Sequence, residues 1–127
     1  MDSLLIVIKE KSLAKGLALA LMDNFQSIHT TKSPFTALKI IQTEKIDLII
    51  TEITFNTIEN DTYIDRLTDF SKIGSTIIIL NDGSFSLSKE TKLLNIIIQQ
   101  KPISVKQIKK IIDSLTENLT KSKSGGN

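Results

Sequence analysis

Short runs of Ile, Leu and Val alternate with stretches whose apolar residues recur every three or four positions, and this alternation sets the plan of the chain. Leu4–Ile8 predicts a first strand and ends in Lys9-Glu10-Lys11. Ser12 reads as an N-cap, with Leu13, Leu17, Leu19, Ala20 and Leu21 recurring at helical spacing to about Asn24. Phe25–Thr31 predicts a second strand. Ser33-Pro34 fits a helix start, the serine capping and the proline at the first helical position; Ala37, Leu38, Ile40 and Ile41 then face inward to about Glu44.

Asp47–Thr51 predicts a third strand buried on both faces, within the stretch IDLIITEITFNTIEN at 46–60. One acid, Glu52, stands where that strand leaves the sheet, and a polar loop with Asn56, Thr57, Glu59 and Asn60 around Phe55 and Ile58 follows. Asp61–Lys72 predicts a third helix, with Tyr63, Ile64, Leu67 and Phe70 near one face and Gly74 as its stop. Thr76–Leu80 is a fourth strand closed by the turn-like Asn81-Asp82-Gly83-Ser84. Ser86 or Ser88 caps a fourth helix holding Leu87, Leu93 and Leu94, and Asn95–Gln99 forms a fifth strand before Lys101-Pro102. Ser104 caps a last helix with a stripe of Val105, Ile108, Ile111, Ile112, Leu115 and Leu119. From Thr120 the polar TKSKSGGN reads as a disordered tail or linker after a domain over 1–119.

A strand–helix pair repeated five times with short connections predicts an α/β domain with a parallel sheet and helices on both faces. The expected class is flavodoxin-like, a doubly wound (βα)5 sheet with strand order 2-1-3-4-5. In such a sheet ligands and chemistry gather at the carboxyl ends of the strands, where Glu52 lies.

Composition narrows the function. The 127 residues make one domain, and the absence of cysteine excludes a disulfide framework, a thiolate metal site and a cysteine nucleophile. No apolar run is long enough to span a membrane, and Met1–Ile8 lacks the form of a secretory signal, so a cytoplasmic location is expected. A formal charge of +2 is too small to imply nucleic-acid binding; Lys106, Lys109, Lys110, Lys121 and Lys123 read as a solvated helix face and tail. His29 stands alone, Tyr63 is read as packing, and no Gly-rich phosphate loop, metal-binding His pair or Ser-His-Asp set occurs.

Over about residues 3–119 the chain resembles the receiver domains of two-component response regulators. DLIITE at 47–52 corresponds to the Asp-Leu-x-x-x-Asp stretch ending in the family's phospho-acceptor. Phe55–Asn60 lies over the following Met-Pro-x-Met-Asp-Gly loop, and Lys101-Pro102 keeps a final pair that is cis in the family. The resemblance implies a magnesium-binding acidic pair after the first strand, yet that pair falls on Ile8 and Lys9, or on Lys9 and Glu10 with a one-residue slip. The acceptor position holds Glu52, the Thr/Ser position Asn81, and the aromatic switch position Ile98; of the chemical residues only Lys101 is kept.

These departures imply a degenerate receiver without cofactor or bound metal, not an enzyme, acting by protein contact independently of phosphorylation. In its altered pocket Lys9 and Lys101 would both reach the Glu52 carboxylate, with Asn81 and Glu10 beside it. The alternative to such a cluster is a decayed site with Glu52 merely solvated. By resemblance, the fourth helix, fifth strand and fifth helix would form the contact or homodimer face, drawing on Leu93, Ile98, Val105, Ile108, Lys109 and Ile112. Nucleic acid would be met only through an output domain beyond the linker. Two other readings stand beside this one: an active receiver using Glu52 or Asp82 with Glu10 as a magnesium ligand, and a flavodoxin-like small-ligand binder using Gly83 and Phe85.

Overall fold

The computed structural model describes residues 2–53, 58–81 and 95–125, with the backbone alone at 58–60 and 116–125. Its elements are β1 (Ser3–Val7), α1 (Lys11–Leu21), β2 (Ser27–Thr31), α2 (Pro34–Thr43), β3 (Leu48–Glu52), α3 (Ile58–Lys72), β4 (Thr76–Asn81), β5 (Ile96–Gln100) and α4 (Val105–Gly125). The five strands form one sheet in the order β2-β1-β3-β4-β5, and every pairing is parallel. The flavodoxin-like architecture is therefore present. The helix expected over 86–94, with Leu87, Leu93 and Leu94, lies outside the described residues, as do Phe55, Asn56, Thr57 and the turn after Asn81.

Each strand feeds two cores because successive side chains point to opposite faces. Leu4, Ile6, Ile8, Leu48, Ile50, Ile78 and Leu80 pack with Leu17 and Leu21 of α1 and Ile108 and Ile112 of α4. On the other face Leu5, Val7, Ile49, Ile77 and Ile79 meet Ala37 and Ile41 of α2 and Tyr63 and Leu67 of α3. That two-sided burial explains why the central strands read as continuous apolar runs.

Helices α1 and α4 run side by side in the same direction. Lys109 Nζ donates to the Ala20 carbonyl at 3.2 Å, and Asn24 Nδ2 donates to Asp113 Oδ1 at 3.2 Å. Gly16, one turn earlier on α1, faces Val105, one turn earlier on α4. The matching steps of four along both helices define the parallel alignment.

Several local expectations hold. Ser33 caps α2 by accepting from the Thr36 amide at 3.3 Å, with Pro34 at the first position. Ser104 and Gln107 bond reciprocally at the start of α4, each side chain accepting from the other's amide. Gly74 ends α3 at φ 112°, and the Ser75 amide reaches back to the Phe70 carbonyl at 3.1 Å while the Gly74 amide reaches Ser71 at 3.2 Å. This is the left-handed helix stop that glycine tolerates best.

Others are corrected. Ser12 does not cap α1: the helix begins at Lys11, and the Ala14 amide already bonds to the Glu10 carbonyl at 3.0 Å. Glu10 is the N-cap residue, extended at φ −72°, and Ser12 Oγ donates to its carboxylate at 3.1 Å. Leu19 lies 62% exposed, facing away from the core that holds its neighbours Leu17 and Leu21. Ile58–Asn60 belong to α3, three residues earlier than their polar composition predicts. Backbone helix continues through Thr120 to Gly125, where the composition predicts a tail.

Candidate functional site

The carboxyl ends of β1, β3, β4 and β5 converge on Glu52. It is the last residue of β3, paired in register with Leu80 of β4, and its side chain is 12% exposed. One carboxylate oxygen, Oε1, accepts from the Lys9 backbone amide at 2.7 Å. The other, Oε2, receives the Lys101 ammonium in a direct ion pair, in which the Lys101 side chain is 28% exposed. Both oxygens are thus engaged, by donors just beyond the ends of β1 and β5, which lie on opposite sides of β3.

The expected cluster is therefore half corrected. Lys101 reaches Glu52 as expected from the sequence, whereas the Lys9 contact comes from the main chain. The reason is geometric: the Ile8 amide bonds to the Thr31 carbonyl on the β2 side at 3.1 Å, and successive amides point to opposite sides, so the Lys9 amide faces the β3 terminus. The decayed alternative, a merely solvated Glu52, does not describe these contacts.

Asn81 closes the far side. It is the last residue of β4 and only 1% exposed. Its side-chain amide donates to the Ile53 carbonyl at 2.5 Å, and its main-chain carbonyl accepts from the Lys101 amide at 2.6 Å. The Ile53 amide completes the junction by bonding to the Leu80 carbonyl at 3.0 Å. A buried amide side chain in this position is satisfied by main chain that has just left the sheet. The Lys101-Pro102 peptide is cis.

Glu10 follows directly on Lys9, whose amide bonds to Glu52. It lines an open cleft of about 400 Å³ with Leu13, Lys101, Pro102 and Ile103. Where a magnesium pair would sit, Ile8 is 3% exposed in the core and offers no ligand. Among the described residues no three His, Cys, Asp or Glu side chains are grouped to hold a metal.

One polar contact beneath the site escaped the sequence reading. Thr51 is fully buried and its hydroxyl lies 2.7 Å from that of Tyr63, joining β3 to α3. Burial pushes the Tyr63 phenol up to about 12, against the opposing hydrogen bond from Thr51. The available signal was a threonine inside an otherwise aliphatic strand, which demands a partner.

The residues assigned to a contact face divide differently. Ile108 and Ile112 are fully buried against β1, β3, β4 and α1, so they hold the fold and present nothing outward. Val105 packs partly on the same core, and Lys109 is spent on the end of α1. Ile98 is half-buried on β5, packed on the opposite core. Leu93 lies outside the described residues.

No protein-family model and no curated protein matches the chain. Solved structures do. The chemotaxis response regulator CheY4 of Vibrio cholerae superposes with a TM-score of 0.69 at 19% identity, over 90% of this chain and 98% of that one. A CheY-like response regulator receiver domain from Methylobacillus flagellatus gives 0.65 at 18% identity, over 90% and 98%. A structure described as a novel family of redox sensors in the streptococci, evolved from two-component response regulators, gives 0.73 at 19% identity, over 98% of this chain and 55% of that one.

Proposed function

Starting from a chain that has the receiver fold of two-component response regulators, we propose that it is a signalling module acting through protein contact without taking up a phosphoryl group. The observation that carries this reading is the occupied Glu52 carboxylate, with the Lys101 ammonium on one oxygen and the Lys9 amide on the other. A carboxylate that accepts a phosphoryl group must present an oxygen in line with the incoming phosphorus while cations neutralise the equatorial oxygens. Here the cation is already spent on the carboxylate. The pair of positions that would supply metal ligands holds aliphatic Ile8 and cationic Lys9, or Lys9 and Glu10 with a one-residue slip, and is broken either way. Displacing the acceptor oxygen by the extra methylene of glutamate adds a misalignment that costs on the order of a hundredfold per ångström.

The contact face follows from what is left outward. β5 is an edge strand whose Ile96, Ile97 and Ile98 are each only half-buried, and it lies beside the site through Lys101. A partner protein or a second copy of the chain meeting this edge reads a surface whose position is set by the Glu52–Lys101 ion pair and not by a phosphoryl group. Ile98 in place of an aromatic side chain removes the rotating group that would gate it.

An amide-resolved NMR titration with magnesium, then magnesium plus beryllofluoride, tests the reading. The expected result is no saturable shift at Lys9, Glu52, Asn81 or Lys101. Saturable shifts there that spread into β5 would restore the phospho-accepting alternative.

A further inference from the structure

The cleft beside the site has two walls from distant parts of the chain. Glu10 and Leu13 come from the β1–α1 junction, and Lys101, Pro102 and Ile103 from the β5–α4 junction. β1 and β5 are not neighbours, since β3 and β4 lie between them. Hydrogen bonds of the sheet therefore do not join these walls directly. Glu52 does: its Oε1 holds the Lys9 amide at 2.7 Å, one residue before Glu10, and its Oε2 holds Lys101, which is itself part of the opposite wall.

We infer that Glu52 is a tie across this cleft, coupling the position of the β5–α4 junction to that of the β1–α1 junction. The ion pair orients the carboxylate, and the oriented carboxylate orders the Lys9 amide. A group that enters the cleft and draws Lys101 away also releases Lys9 and Glu10. The attraction that competes for Lys101 is that of an anion, because Lys101 is the cationic wall residue. The Lys101 main chain is held separately, its amide bonding to the Asn81 main-chain carbonyl, so among the described residues the ammonium can move while the strand end stays in place. The inference deepens the reading above and rests on the same occupied carboxylate.

Amide hydrogen exchange followed by NMR, without magnesium, tests it. Lys101→Met removes the ammonium and leaves in place the Glu52 carboxylate that accepts from the Lys9 amide. Exchange at the Lys9 amide is expected to speed up by roughly three- to tenfold, while Leu5 and Ile49 in the core keep their protection. Lys101→Arg, which keeps the charge and the reach, is expected to restore slow exchange at Lys9. An unchanged Lys9 rate in Lys101→Met overturns the tie. If Lys101→Met also strips protection from Leu5 and Ile49, Lys101→Gln replaces it under the same criterion. Magnesium and beryllofluoride binding would defeat the contact-only function yet leave this result standing, and an unchanged Lys9 rate would defeat the tie alone.

Discussion

The hydroxyl groups of Thr51 and Tyr63 meet at 2.7 Å inside the interface between β3 and α3. Thr51 is fully enclosed, its hydroxyl also reaching the Glu52 carbonyl at 3.4 Å, and Tyr63 is 3% exposed. The pair fastens α3 to the strand that carries Glu52.

Tyr63 is the only tyrosine and the chain has no tryptophan, so its ionisation is directly visible in ultraviolet absorbance. Burial raises the folded phenol to about 12, whereas an unfolded one ionises near about 10. The unfolded state therefore loses its proton first. The stabilisation is full below about pH 10 and is lost as pH rises towards the folded value near about 12. The native absorbance midpoint is expected near about 12, falling to about 10 in urea. Tyr63→Phe is expected to cost about 1–2 kcal/mol near neutral pH, by leaving the buried Thr51 hydroxyl without its tyrosine partner, and to remove this part of the alkaline loss.

Asp47 makes the opposite prediction at the acid end. Its Oδ2 accepts from the Asp2 amide at 2.9 Å, the Ser3 amide at 3.1 Å and the Ser3 hydroxyl at 3.3 Å, stitching the start of β1 to β3. Partial burial works to raise this carboxyl, but the two amides, the hydroxyl and nearby Lys45 together hold it below its ordinary value. A depressed folded value gives stability that is present above the unfolded value near about 3.9 and lost as pH falls through the folded one. Denaturant titrations between about pH 6 and pH 2.5 are expected to show Asp47→Asn weaker by about 1 kcal/mol at the upper end, with the gap closing towards the lower.

Glu52→Gln keeps the shape of the side chain and removes its charge. Because the Lys101 ammonium is partly exposed, the expected loss is modest, about 0.5–1 kcal/mol in urea unfolding. A double-mutant cycle with Lys101→Met is expected to return a coupling of similar size. A cycle that returns zero coupling would make the ion pair irrelevant to the folded state.

The interface of α1 and α4 gives two substitutions of opposite sign. Ile108→Ala opens a cavity in a fully buried position and is expected to cost about 2–5 kcal/mol by thermal or chemical unfolding. Gly16→Ala adds a methyl that would stand 3.4 Å from Val105 Cγ2, an ordinary contact. It also removes a glycine from a helix interior, so it is expected to stabilise by about 0.5–1 kcal/mol. The same change at Gly74 is expected to destabilise, because φ there is 112° and a Cβ is strained whatever the space.

Much of the architecture was legible because it depends on side-chain type at short range. Leu4–Ile8 and Thr76–Leu80 are apolar on both faces, and only a strand with a helix layer on each side buries them so. Ser33-Pro34 and Gly74 mark helix ends through their own chemistry, one by accepting an amide and one by tolerating a positive φ. Ser12 misled because Glu10 lies two residues earlier and already begins the helix, leaving the serine hydroxyl to bond to that carboxylate. Ile108 and Ile112 misled in another way. An apolar stripe on a helix is the same in sequence whether it faces a partner or the protein's own sheet.

Sequence by itself determined the parallel α/β order, the buried strands and the placing of Glu52 at a strand terminus, since these follow from periodicity and from residues only a few positions apart. Tertiary structure alone decided what Glu52 holds. Lys9, Glu52 and Lys101 stand at or just beyond the ends of three separate strands, and whether a lysine offers its ammonium or its amide depends on the direction the backbone takes as it leaves the sheet. That direction is set by the Ile8 amide, which is taken by Thr31 on the β2 side, and by strand register across β1, β3, β4 and β5. No local pattern encodes it.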